Sequence, residues 1–283
     1  MPQNLRQIKN RIRVIDNAHK VTSAMEMISV TKLNRTEKLL RGFRPYFLKL
    51  DTIFNRIIGD QNKLGSPFFA GNGFKDICLC LISSDSGLCG VHNTEILRFA
   101  EDFIKSKGAG RVKVVAIGRR GLNHCKKYGY QVLSSYTGLN GRYSDDLCDK
   151  IVSDLTGIFL NGKAGEVFIA YTNFKTALIR RPTLVKFLKL EAPKADEIKY
   201  ITEPEAEEIV RGLIPKYLFA KMRLILLEAF TAEHSARTIA MKMATDNAEE
   251  LSTKLLLLRN KVRQANITQD MLEIISSAEA LKG

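Results

Sequence analysis

Apolar residues recur every three or four positions along both ends of the chain. At the amino end the pattern runs from Asn4 to about Ile58, and at the carboxyl end from about Glu205 to Leu281. Repeats of roughly 55 and 75 residues far exceed the roughly 8–20 residues of a globular helix and are typical of coiled coils. The two ends can pair only if the chain between them returns to its start. We therefore predict an antiparallel pair of helices with a globular body between them.

Several local features modify this helical pattern. Pro45 is expected to kink the first helix or to end one segment just before it, and the composition of Gly59–Gly73 favours a loop. The N-terminal repeat slips by one position after Ile15 and is expected to continue at Ala18, Val21, Met25 and Ile28. In the second helix an alanine at every fourth position would let a partner backbone approach closely. These alanines are Ala232, Ala236, Ala240, Ala244 and Ala248.

The middle of the chain alternates between strand-like and helix-like segments. Predicted strands are Asp76–Ser83, Val112–Ile117, Tyr130–Ser135, Glu166–Tyr171 and Leu184–Leu190. Predicted helices are His92–Lys105, Arg119–Tyr128 and Ser144–Leu160, the last with Ser144 as its N-cap. Repeated βα units favour a mostly parallel sheet covered by helices. The expected divisions are a helix at 1–60, an α/β domain at 74–195 and a second helix at 204–283.

The formal net charge of +14 is distributed unevenly along the chain. Residues 1–60 contain twelve Lys or Arg against five Asp or Glu, whereas residues 204–283 contain eleven of each. A basic helix points to an anionic partner, which could be nucleic acid, a membrane surface or an acidic protein. Charge is the only feature that favours nucleic acid, because the sequence contains no recognisable nucleic-acid-binding signature.

The sequence offers little support for secretion, membrane insertion or metal binding. The first residues lack the apolar region of a signal peptide, and no stretch approaches the ~18 apolar residues of a membrane span. The five cysteines are an odd number in a large chain, which favours reduced thiols in a cytosol-like compartment. With only four histidines, of which His19 and His234 fall on the long helices, metal binding is not expected.

Two glycine-containing segments are candidate ligand sites. Gly157–Ala164 nearly matches the phosphate loop G-x-x-x-x-G-K-[ST], but Ala164 lacks the required hydroxyl and the segment follows a helix, so a helix-to-strand turn is expected. Ser83–Gly90 follows a strand and precedes a helix, which is where α/β proteins bind anions. The same segment could be a tight turn that needs its glycines. Cys89 and His92 lie there, but no base for nucleophilic catalysis can be assigned.

Four stretches, in order along essentially the whole chain, resemble the gamma subunit of rotary F-type ATP synthases. The most specific is the C-terminal segment from Ile267 to Ala280, and the others are Ile8–Lys32, Ser84–Asn93 and Glu233–Ala248. Asp270 stands where the family has Glu. The cysteine-containing insertion of chloroplast forms is absent, which favours a bacterial-type subunit. The expected fold class is α/β, with a long antiparallel coiled coil of N- and C-terminal helices plus a central Rossmann-like α/β domain.

The resemblance implies a central-stalk rotor subunit without an active site, cofactor or metal of its own. Its partners would be three alpha and three beta subunits, the epsilon subunit and the c-ring, and not nucleic acid. The membrane would be contacted only through the complex, at the cytoplasmic face of the bacterial inner membrane. By motif match, contacts to a beta-subunit loop would come from Met25, Arg237, Gln264, Thr268 and Asp270. Contacts of the foot to the c-ring would come from Tyr200 and Glu203.

Two other functions remain open on the residues alone. A nucleotide-binding α/β enzyme with a helical arm would need a true phosphate loop. A basic coiled-coil protein would bind nucleic acid with a steep salt dependence, but it would not explain the apolar end of the second helix. A chain end is usually polar and frayed, so an apolar end indicates that this tip is buried, for example in another protein.

Overall fold

The computed structural model describes residues 5–58, 66–71, 73–191 and 206–281. The chain divides into two compact units. One consists of Met1–Ile28 with Thr238–Gly283, and the other of Ser29–Arg237. Each long helix contributes residues to both units.

Six α-helices and five β-strands are present in the described residues. The helices are α1 (Leu5–Ile58), α2 (Pro67–Ala70), α3 (His92–Lys107), α4 (Arg119–Lys127), α5 (Asp145–Leu160) and α6 (Ala206–Ala280). The strands are β1 (Ile77–Ile82), β2 (Val112–Ile117), β3 (Val132–Tyr136), β4 (Glu166–Phe174) and β5 (Arg180–Leu188). A short 3-10 helix at Ala109–Arg111 precedes β2. The sequence therefore predicted every strand and the two long helices, with shifts of a few residues at some ends.

The sheet has the order β3-β2-β1-β4-β5. The first four strands are parallel to their neighbours, and β5 returns antiparallel to β4 as a hairpin. The predicted α/β fold with a mostly parallel sheet is confirmed. The order reverses beside β1, so the crevice between the carboxyl ends of β1 and β4 is the place where such sheets normally bind a ligand.

Alternating side chains of β1 enter two different cores of the unit Ser29–Arg237. Ile77, Leu79 and Leu81 pack against α3. Cys78, Cys80 and Ile82 belong to the other core, together with α5 and the long helices. Because successive side chains point to opposite faces and a core covers each face, β1 is fully buried. Its sequence is therefore a continuous apolar run.

The long helices cover one face of the sheet through a shared apolar core and are joined to each other by an aromatic contact. Phe54 of α1 and Tyr217 of α6 are stacked, with ring centroids 3.7 Å apart, and the Tyr217 hydroxyl donates a hydrogen bond to Asp51 at 2.8 Å. Of the two alternatives expected at Pro45, a helix end is wrong, since α1 continues through the proline, and a kink stays a prediction. The side chains of Leu40 and Phe47 are buried on either side of the proline and stabilise both flanking turns.

The other unit is an antiparallel helix pair whose register is set by two polar contacts. Thr245 donates a hydrogen bond to the Thr22 hydroxyl at 3.0 Å, and Ser252 donates to Asp16 at 2.8 Å. The predicted seam after Ile15 is wrong in detail, because Val21 and Ile28 are both 58% exposed. Polar side chains such as Thr22 face the partner helix in this part of α1. The spacing of apolar residues alone could therefore not locate the seam between the two helices.

Two loop predictions have different outcomes. The segment Gly59–Gly73 contains the short helix α2 and otherwise lies partly outside the described residues. The segment Gly157–Ala164, which nearly matches a phosphate loop, contains the expected helix-to-strand turn between α5 and β4, so that prediction is confirmed. Ala164 is fully buried there and Gly162 (φ +70°) lies against the ring of Phe74.

Candidate functional site

The segment Ser83–Gly90 after β1 is a tight turn fixed by its own hydrogen bonds. The Ser83 hydroxyl accepts from the Gly121 amide at 2.7 Å, and Asn93 bonds the Ser84 hydroxyl at 2.7 Å. Gly90 has φ +57°, and a Cβ on Gly87 would lie 2.8 Å from the guanidinium of Arg120. Gly90 is thus required for its backbone conformation, whereas the end of the flexible Arg120 side chain could move aside for a Cβ on Gly87. The predicted need for glycine in a tight turn is confirmed at Gly90.

The carboxylate of Asp85 occupies the position at which an α/β domain would bind an anion. Its Oδ1 accepts hydrogen bonds from the backbone amides of Arg119 and Gly138, both at 3.0 Å, and its Oδ2 accepts from the amide of Asn140 at 2.7 Å. The Arg119 amide belongs to the first turn of α4, where the helix dipole favours a negative charge. The donors that could hold a ligand anion are therefore used by the protein's own side chain.

Helix α6 presents a buried ion pair to the same turn. Arg237 donates to Glu233 at 2.8 Å, and both side chains are less than a tenth exposed. The same guanidinium donates to the Ser86 hydroxyl at 3.0 Å and, at 3.4 Å, to the backbone carbonyl of Gly87. Burial raises the pKa of Glu233, and the neighbouring Arg237 opposes that rise. Arg237 thus binds the turn after β1 in this structure.

Both long helices also contact the loop that Asp85 holds. His234 of α6 shares a hydrogen bond with the carbonyl of Gly141 at 3.0 Å, and Lys32 of α1 donates to the carbonyl of Asn140 at 3.3 Å. Gly141 has φ +67°, and a Cβ there would lie 2.5 Å from the His234 ring. We call this cluster the polar joint, formed by Lys32, Asp85, Gly141, Glu233, His234 and Arg237.

Burial and nearby cations keep the histidines of this region neutral. Burial is the main cause that lowers the pKa of His234 to about 4, and Arg237 and Lys32 add to it. His92 at the start of α3 also has its pKa lowered to about 4, again chiefly by burial and then by Arg180 and Arg237. Neither is arranged as a catalytic base, and the part of the chain that the structure describes contains no group of side chains suited to hold a metal ion.

A second buried network connects the two helices to β4. Glu228 of α6 accepts from Arg44 of α1 at 2.7 Å, from the Tyr171 hydroxyl at 3.0 Å and from Asn173 at 2.8 Å. Arg44 also donates to the carbonyl of Phe174 at 2.8 Å. The carboxylate of Glu228 is thus fully paired despite being 4% exposed.

The residues predicted to contact partners are distributed over different parts of the chain. Arg237 lies in the unit Ser29–Arg237, whereas Met25, Gln264, Thr268 and Asp270 belong to the other unit. Gln264, Thr268 and Asp270 are exposed on α6, and the Thr268 hydroxyl donates to the Gln264 carbonyl at 3.0 Å. The observed register places Met25 opposite residues 242–243 and not opposite Gln264. The roles of these residues stay predictions, and Tyr200 and Glu203 lie outside the described residues.

Sequence reasoning did not identify Asp85, Glu233 or Glu228 as site residues. A signal existed for Glu233, because an acid and an arginine four residues apart interrupt a largely apolar stretch of α6. No signal existed for Asp85, because its amide partners come from loops that meet only in the folded sheet.

Comparison with known proteins gives matches along the whole chain. A family model described as ATP synthase matches residues 4–281. The chain is 34% identical over 278 residues to the ATP synthase gamma chain of Desulfitobacterium hafniense, covering 98% of this chain and 99% of that relative. It is 31% identical over 283 residues to the ATP synthase gamma chain of Protochlamydia amoebophila, with 99% of each chain covered.

Solved structures share the fold at lower identity. A chain of the Euglena gracilis mitochondrial ATP synthase, in a structure containing OSCP, F1 and the c-ring, matches with a TM-score of 0.70 and 15% identity, over 98% of this chain and 94% of that one. A chain of the Tetrahymena thermophila mitochondrial ATP synthase central stalk and c-ring matches with a TM-score of 0.61 and 19% identity, over 79% and 99% respectively.

Proposed function

The chain belongs to the ATP synthase gamma chain family, and we propose that it couples ion flow to ATP synthesis by turning inside a ring of catalytic subunits. It is a central-stalk rotor subunit and not itself a catalytic one. The proposed partners are three alpha and three beta subunits, the epsilon subunit and the c-ring. The solved structures of similar fold contain F1, a central stalk and a c-ring, which supports this set.

The observation that carries the proposal is the exposed apolar surface at the end of α6. The register of the helix pair places the described start of α1, Leu5, opposite residues 262–263, so α6 continues beyond it. We call residues 264–281 the C-terminal segment. Its large apolar side chains are between 48% and 88% exposed, and they are Ile267, Met271, Leu272, Ile274, Ile275 and Leu281. Contiguous apolar surface of this kind marks an interaction site.

An apolar sleeve formed by the catalytic ring is a suitable partner for this segment. Apolar contact is non-directional and does not fix one angle, so the segment can turn inside such a sleeve. The exposed polar side chains of Gln264, Thr268 and Asp270 would then contact a beta-subunit loop. Arg237 is a weaker candidate for that contact in this conformation, because its guanidinium binds Ser86 and Glu233.

The proposed location is the cytoplasmic face of a bacterial inner membrane, where the chain would be held by the complex. Within the described ranges, no helix combines the length and apolar character needed to cross a bilayer. Membrane association would therefore depend on the c-ring, with Tyr200 and Glu203 as the expected contacts of the foot.

The test is reconstitution with alpha and beta subunits from the same organism. We expect the full chain to stimulate ATP hydrolysis with one copy per hexamer, and a chain lacking residues 267–283 to stimulate less. The double variant Gln264→Ala with Thr268→Ala should weaken coupling or assembly. Glu249→Ala with Glu250→Ala, also exposed on α6, is the matched control. Salt-dependent nucleic-acid binding without assembly would instead favour the basic coiled-coil alternative.

A further inference from the structure

The carboxyl edge of the parallel strands is occupied by the protein's own groups at the ends of β1, β2 and β3. Asp85 satisfies the amides of Arg119, Gly138 and Asn140, and Arg237 of α6 binds the turn after β1. These amides could hold a ligand anion, and the domain instead uses this edge of the sheet to bind its own helices. The residues of the polar joint therefore serve an interaction within the chain.

We propose that Asp85 is a positioning residue for torque transfer, because it holds the two loops through which the α/β domain binds both long helices. This inference rests on the rotor function proposed above. One loop, Gly138–Gly141, binds Lys32 of α1 and His234 of α6. The other, the turn that contains Asp85 itself, binds Arg237.

The chemistry of the polar joint differs from that of the apolar core below it. Apolar contacts hold the helices on the sheet but are non-directional. Hydrogen bonds have preferred distances and angles, and those with a charged partner are the stronger ones. Three hydrogen bonds on α1 and α6, two from the cations Lys32 and Arg237 and one shared by the neutral His234, resist rotation of either helix about its own axis relative to the sheet.

The contacts of the polar joint also lie close to both ends of the unit Ser29–Arg237. The unit Ser29–Arg237 begins three residues before Lys32 and ends at Arg237. The polar joint therefore contains nearly the first and the last residues of the unit. The polar joint is thus a place where the α/β domain is attached to both long helices, close to the ends of the unit.

Asp85 is the member on which the others depend. Its carboxylate accepts three backbone hydrogen bonds through two oxygens. The amide of an asparagine has only one oxygen, and its NH₂ group would face a backbone N–H, which cannot accept a hydrogen bond. The variant Asp85→Asn keeps the shape of the side chain and removes its charge. Loss of even one hydrogen bond to a charged acceptor should raise the opened population of the loops about tenfold or more.

The experiment compares Asp85→Asn with the wild-type chain in the complete membrane complex. Amide hydrogen exchange of the Gly138–Gly141 loop is measured, together with the ratio of ions pumped to ATP hydrolysed. We expect protection of the loop to fall about tenfold or more and the pumping ratio to fall with it. Asp85→Glu, which retains the carboxylate, should partly restore the ratio, and Asp102→Asn, on the exposed side of α3, is the matched control.

The possible results separate the proposals. A loosened loop with an unchanged pumping ratio would mean that Asp85 is merely structural, and an unchanged loop would mean that it positions nothing; either overturns the inference. If the wild-type chain itself does not couple hydrolysis to pumping, the rotor function has failed instead. Should Asp85→Asn not assemble, Lys32→Gln removes the contact of α1 with Asn140 while leaving Asp85 in place. Lys32→Met, which unlike glutamine has no N–H donor, makes this test strict. It must also lower the ratio, and an unchanged ratio there overturns the inference.

Discussion

Acid should destabilise the unit Ser29–Arg237 through its two buried histidines. His92 and His234 have pKa values lowered to about 4, whereas the usual value is 6.5. Between these values the unfolded chain binds protons that the folded chain does not, so stability falls as the pH falls from about 6.5 to about 4 and is unaffected by them above that range.

The size of the effect follows from the same two values. For one histidine, lowering the pH from 7 to 5 should reduce the free energy of unfolding by about 2 kcal/mol. The variant His234→Gln removes the contribution of one histidine and should lose about 2 kcal/mol less than the wild type over this range. Glu233 acts in the opposite direction because its pKa is raised, but it is present in both proteins and its effect largely cancels in the comparison.

Urea unfolding of the isolated chain at pH 7 and pH 5, followed by the near-ultraviolet dichroism of tyrosine, measures this difference. All eight tyrosines lie between residues 29 and 237, so the signal reports on this unit. His19→Gln changes the same residue type in the other unit and should leave the pH dependence as in the wild type. Equal loss of stability in His234→Gln and the wild type would refute the reasoning, since His234 would then titrate normally in the folded state.

Two further predictions concern buried charge and backbone space. Arg44→Met leaves the carboxylate of Glu228 buried without its cation and should cost about 3–5 kcal/mol of unfolding free energy. Arg41→Met breaks only an exposed pair with Glu37 and should cost less than about 1 kcal/mol. Gly118→Ala places a Cβ 2.1 Å from a backbone carbonyl and should lower the melting temperature of the unit clearly, whereas Gly129→Ala, also at positive φ but in open space, should lower it less. Similar melting temperatures for the two glycine variants, or equal losses for the two arginine variants, would contradict these expectations.

The sequence was sufficient for the architecture because the elements carry strong periodic signals. The continuous apolar run of β1 and the N-cap at Ser144, whose hydroxyl accepts from the amide of Leu147 at 3.3 Å, were both predictable from local physics. The choice between a continuing helix and a helix end at Pro45 was not, because distant side chains on α6 stabilise the helix there. Local propensity describes what a segment prefers alone, and tertiary packing overrules it.

The polar joint was predictable only in part. The glycines of the turn after β1 indicated a special backbone conformation, and Gly90 adopts one. The partners of Asp85, however, are amides from α4 and from the loop after β3, more than thirty residues away in sequence. Side chains that bind backbone atoms leave no composition or spacing signal at the partner position, so this site becomes visible only in the structure.

Rotation of the chain inside the catalytic ring tests the central claim most directly. The five native cysteines are buried, so a cysteine introduced by Leu178→Cys, at a position 83% exposed in the β4–β5 turn, can be labelled selectively with a bead. The complex with alpha and beta subunits is fixed to a surface and supplied with ATP. The account predicts rotation of the bead in one direction that stops without ATP. A stationary bead on a complex that hydrolyses ATP normally would contradict it.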